Sequence, residues 1–183
     1  MPILGIVASS NYQRVVPDTG AMFPLGMVSV GSGGTSTITF SSIPSTYTHL
    51  QLRVLYQLSS ANWINFSFNS DTTDANYRTH DLRGDGSTAS ASSPGNQRLL
   101  LLQNVATASN TFGAGVIDIL DYKNTNKYKT IRSLYGYDAN GSGNIDLTSN
   151  LWMNTNAINT ITITASPTIQ QYTQFALYGI KGA

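Results

Sequence analysis

Cysteine and glutamate are both missing from this chain of 183 residues, histidine occurs only twice, and charged side chains make up just 10%. Without cysteine there is no disulfide, no thiolate nucleophile and no Cys-ligated zinc, and two histidines, His49 and His80, cannot build a multi-histidine metal site. All nine acidic residues are Asp and lysine is limited to four, so the residues that usually fill exposed helix faces are scarce and long helices are not expected. The charge content lies far below the roughly 25% of an ordinary soluble domain, which leaves solubility to neutral polar side chains. A net charge of +1 with scattered Arg and Lys lacks the basic footprint that nucleic acid needs, so no nucleic-acid partner is expected. The apolar run within residues 1–10 has no Lys or Arg before it and is too short to span a bilayer, and it is read as neither signal peptide nor membrane anchor.

What the chain does have is Ser, Thr, Asn and Gln between short runs of apolar and β-branched residues. Residues 1–25 mix Ile, Leu and Val with Pro2, Pro17, Pro24, Gly5 and Gly20 in no clear period, and are expected to form an extended N-terminal arm laid on a partner such as a neighbouring subunit. Residues 26–183 are expected to form one β-sandwich domain. Gly31-Ser32-Gly33-Gly34 reads as a tight hairpin joining strands over 26–30 and 35–40. Over 47–57, Leu50, Leu52, Val54 and Tyr56 share one face of a long strand, and over 62–69, Ile64, Phe66 and Phe68 do the same. Residues 71–95 read as a long polar surface loop with room for one short strand or helical turn. Further strands are expected over 97–103, 115–122, 128–137, 144–153, 158–164 and 172–180, with 115–122 apolar enough for a strand buried on both faces. Nine or ten strands without helical crossovers predict an all-β fold, an antiparallel sandwich of jelly-roll type.

Candidate chemistry is thin. Asp138, Asn140, Ser142 and Asp146 follow the first nine positions of a calcium loop, but the twelfth position is Ser149 and the flanks read as strands, so a hairpin turn at Asn140-Gly141 is the expected structure. The pairs Asp71/Asp74, Asp81/Asp85 and Asp118/Asp121 are read as turn formers, or as partners of Arg132 or Lys123, in preference to a glycosidase pair. His49, on a strand, and His80, in the polar loop, show no partner for acid–base work. The rings of Trp63, Phe66, Phe68, Trp152 and Tyr178 fall within strands and are expected in the core. The reading is non-enzymatic: no catalytic, cofactor-binding or metal-ligating residue is assigned, and no cofactor is expected.

Four segments, read together, resemble small virion proteins of tailed bacteriophages: MPILGIVASS at 1–10, SSIPSTYTHLQLR at 41–53, ILDYKNTNK at 119–127 and FALYGIKGA at 175–183. The resemblance implies a β-sandwich component of the phage particle. The first expectation is a capsid cement or decoration protein that binds and stabilises the head through its arm, sits on the outer capsid surface, contacts the major capsid protein and assembles as a homotrimer. The alternative is a tail or head fibre protein, an adhesin that binds host surface glycans.

Overall fold

The computed structural model describes residues 21–95, 97–101 and 108–182, so most of the expected 1–25 arm lies outside the described residues. Twelve strands run through it: β1 (Met22–Ser29), β2 (Thr35–Phe40), β3 (His49–Tyr56), β4 (Ile64–Phe68), β5 (Tyr77–Gly84), β6 (Ala89–Gly95), β7 (Leu99–Leu101), β8 (Gly113–Leu120), β9 (Lys129–Asp138), β10 (Gly143–Trp152), β11 (Ile161–Ile169) and β12 (Gln174–Ile180). Among the described residues the only helical element is one 3-10 turn, Asp74–Asn76. The first strand begins at Met22, four residues ahead of the expected domain start, and accommodates Pro24 at a bulge on the free edge of the sheet.

The fold is an all-β sandwich of two antiparallel sheets, one of eight strands in the order β1-β12-β3-β8-β9-β10-β5-β6 and one of four in the order β2-β11-β4-β7. Partners are nested along the chain: β1 with β12, β2 with β11, β3 with β8 and β4 with β7. Two hairpins, β5–β6 and β9–β10, add four strands to one side of the larger sheet only.

The core between the sheets follows from alternation. Leu50, Leu52, Val54 and Tyr56 of β3, Ile117 and Ile119 of β8, and Phe175 and Leu177 of β12 face Phe66 and Phe68 of β4 and Ile161 and Ile163 of β11, all buried. Trp152 and Tyr77 stack at 6.4 Å between ring centres, and Phe68 lies 5.4 Å from Trp152. Each such side chain contributes about 1.5–3 kcal/mol by leaving water.

Four sequence expectations need correction. Gly31–Gly34 is not a hairpin, because β1 and β2 diverge into opposite sheets. Gly34, at φ +71°, lies so close to Thr168 and the Ile169 carbonyl that no side chain fits there. The 71–95 segment is not a loop but a 3-10 turn and a hairpin, β5–β6. The strand over 115–122 is buried on one face only, with Val116 and Leu120 reaching solvent. Tyr178 lies on the outer face under the Arg53 guanidinium, and Trp63 is half-buried just ahead of β4, so neither joins the core proper.

Beneath the added hairpins the inner face is polar, since four strands cannot cover eight with aliphatic groups. Thr79 Oγ1 donates to Asn150 Oδ1 at 2.7 Å, and Asn150 donates to Thr148 Oγ1 at 3.2 Å. Asp146 is fully buried and meets Arg83 Nε at 2.6 Å. Burial pushes the Asp146 carboxyl up, and the guanidinium and the Asn144 amide only partly offset this.

Candidate functional site

The Asp residues singled out in the sequence are separately engaged. Asp71 accepts the Trp152 indole N–H at 2.8 Å and the Asn76 amide at 2.9 Å. Asp74 pairs with Arg98 at 2.7 Å, and Asp81 accepts from Ser92. Asp85 caps the β5–β6 turn by accepting the Ser87 and Thr88 N–H groups at 2.8 and 2.7 Å. Asp118 is joined by Gln51 at 2.9 Å and Arg132 at 3.5 Å, the latter as expected. Asp121 pairs with Lys127, not Lys123, and its backbone N–H donates to His49 Nδ1 at 2.9 Å. Through that last bond His49 acts structurally, holding a turn residue with φ +48°. His80 sits on the outer face of β5, exposed.

The 138–146 motif is the hairpin turn between β9 and β10. Asn140 and Gly141 both have positive φ (+59° and +104°), and Asp138 accepts the Asn140 N–H at 2.7 Å. Asp146 points to Arg83 from the body of β10. Beside this turn lies the β5–β6 turn, and the two enclose a shallow recess lined by Asp85, Gly86, Tyr137, Asp138, Gly141 and Asn144.

The larger feature is the outer face of the eight-stranded sheet. Strand register places Met27, Ala176, Arg53 and Val116 side by side on β1, β12, β3 and β8. The same row continues through Leu134, Leu147, Leu82 and Ala91 on β9, β10, β5 and β6, and so crosses every strand. Met27 is 67% exposed, Leu134 51% and Leu82 53%. A second row, two residues along, holds Leu55, Ala114, Gly136, Ile145, Gly84 and Ala89. A hollow lies there, lined by Gly136, Ala114, Val116, Leu134 and Ile145.

Seven of the ten large apolar residues exposed in the described structure fall on these two rows: Met27, Leu55, Leu82, Val116, Leu134, Ile145 and Leu147. Singly scattered apolar residues are ordinary, and a contiguous exposed patch sets this sheet face apart from them. On one side it is bounded by a polar row, Gln51, Asp118, Arg132, Ser149 and His80, in which Gln51 also accepts from Arg53 Nε at 3.1 Å. An apolar centre beside a polar rim is the usual anatomy of a protein interface. The signal was present in the sequence as consecutive apolar pairs, Val116-Ile117 and Leu134-Tyr135, which put one member on each face.

Comparison with known proteins finds no family model, no curated protein and no solved structure that matches the chain.

Proposed function

We propose that the protein is a structural component of a tailed-phage particle, a cement protein of the capsid surface whose 1–25 arm and outer sheet face hold subunits to the head and to one another. The observation that carries this reading is the apolar patch on the outer sheet face, one row crossing all eight strands and a second spanning six of them, a surface that a lone soluble domain would be expected to cover. The four-segment resemblance to phage virion proteins supplies the setting. The nested pairing of first strand with last, second with second-last, supports the jelly-roll form of the sandwich, an architecture used in viral capsids and in lectins alike. Assembly as a homotrimer belongs to the same proposal.

Gold-labelled antibody imaging of purified particles tests it. Label spread over the head is the expected result, and label on the tail or its fibres would replace cement with the second reading. That second reading, a fibre protein or adhesin for host glycans, is favoured by the recess between the two hairpin turns. There the Asp85 and Asp138 carboxylates offer hydrogen-bond acceptors beside Tyr137, a combination suited to a sugar.

A further inference from the structure

We infer that the apolar row on the eight-stranded sheet is the seat of residues 1–13 of a neighbouring copy of this chain, so that subunits clasp one another in series. The inference deepens the cement reading and rests on it for the presence of neighbouring copies.

Chemistry and length both match. Residues 1–13 contain no Asp, Lys or Arg, and carry Ile3, Leu4, Ile6 and Val7; the first charged side chain of the sequence is Arg14. The row they would cover is equally free of charge except at Arg53, whose guanidinium already engages Gln51 and lies over the Tyr178 ring. No ion pair is needed, and none is left broken. Eight strands at about 4.8 Å spacing make a row roughly 34 Å long, and thirteen extended residues at about 3.3 Å each reach roughly 43 Å. The hollow at Gly136 gives one branched aliphatic side chain of the arm a place to insert, between Ala114 and Ile145 and against Leu134.

Strand direction favours a neighbour over the same chain. Along β1 the chain runs from Met22 to Met27, and Met27 is where the row meets that strand. Continued backwards from Met22, the strand direction leads away from the row, so a same-chain arm must reverse over about 17 Å of its own edge strand. An arm from another copy is not tied to this edge strand and is free of that constraint.

The absence of cysteine makes the test clean. Two full-length variants are prepared, Leu4→Cys carrying a tag and Ile145→Cys without one, then mixed in concentrated solution and oxidised. The expected product is a tagged–untagged disulfide dimer, formed far more than when Ile145→Cys is replaced by Ser149→Cys on the polar row. The double variant Leu4→Cys/Ile145→Cys should then give a ladder of oligomers on a non-reducing gel. A double variant that closes only within its own chain, or no preference for position 145 over 149, overturns the inference. The cement reading fails separately: crosslinked ladders from a protein whose label is missing from phage heads would keep the clasp and remove the cement role.

Discussion

The Trp152 indole N–H donates to Asp71 Oδ2 at 2.8 Å, which anchors the end of β10 to the turn that follows β4. The ring itself is buried against Phe68 and Tyr77. Partial burial on its own would raise the Asp71 carboxyl, but the bonds from Trp152, Asn76 and Thr73 outweigh it and hold the group below its usual value. A carboxylate lowered in the folded state adds stability above its unfolded pKa of about 3.9, and that contribution fades as pH falls through the folded value. The wild-type protein should therefore lose stability as pH falls below about 4, followed by tryptophan fluorescence in urea titrations at stepped pH. Asp71→Asn should flatten that portion of the profile. Asp71→Ala, which leaves the indole N–H without its acceptor, should cost about 1–3 kcal/mol at neutral pH.

Lys129 is fully buried, and its ammonium donates to the carbonyls of Asn124, Lys127 (3.1 Å) and Thr155 (2.9 Å), so it ties the β8–β9 connection to the chain after β10. Burial pushes its pKa down, with Lys127 nearby adding to the effect. Lys129→Met keeps most of the volume but removes the donors, and the carbonyls lose partners worth about 1–3 kcal/mol each when left dry. Chemical denaturation should show a loss of at least about 2 kcal/mol, where a substitution at exposed Thr130 stays within about 0.5 kcal/mol.

Gly34 occupies the passage from one sheet to the other, in a left-handed conformation and against Thr168 and Ile169. Gly34→Ala adds both backbone strain and a collision, and should lower the melting temperature by several degrees, about 4 °C or more per 1–2 kcal/mol in a domain of this size. Gly33→Ala, also left-handed but with open space around it, should cost less.

The outer rows should behave in the opposite way. Leu134→Asp and Leu147→Asp alter side chains that are already exposed, so each should leave the melting temperature within a degree or two. Together they should abolish self-association in sedimentation velocity runs. A single variant that unfolds would reveal its leucine as part of the core, contrary to its exposure.

Much of the fold was legible in the sequence because its strands alternate. Leu50 to Tyr56 and Ile64 to Phe68 have one oily face each, and both lie in the core as the pattern required. The β5–β6 hairpin escaped because it packs polar residues inward: Thr79 is buried on Asn150, Arg83 reaches in to the buried Asp146, and β6 is built from Ala, Ser, Pro and Gly. Tyr77 alone marked it, and one buried ring is not a period. The divergence of β1 and β2 was equally hidden, since a run of glycines allows a tight turn and does not say which sheet each strand will join. The outer apolar rows left a trace in adjacent apolar pairs such as Val116-Ile117, which resemble a doubly buried strand until a second sheet is found on one side only.

The most direct test of the cement role is to restore phage heads from which the protein has been stripped. Purified wild-type protein should rebind saturably and recover the resistance of the heads to heat, while the Leu134→Asp/Leu147→Asp variant, folded to the same melting temperature, should do neither. Heads that bind the variant as well as the wild type, or that bind neither protein, would contradict a cement role built on this sheet face.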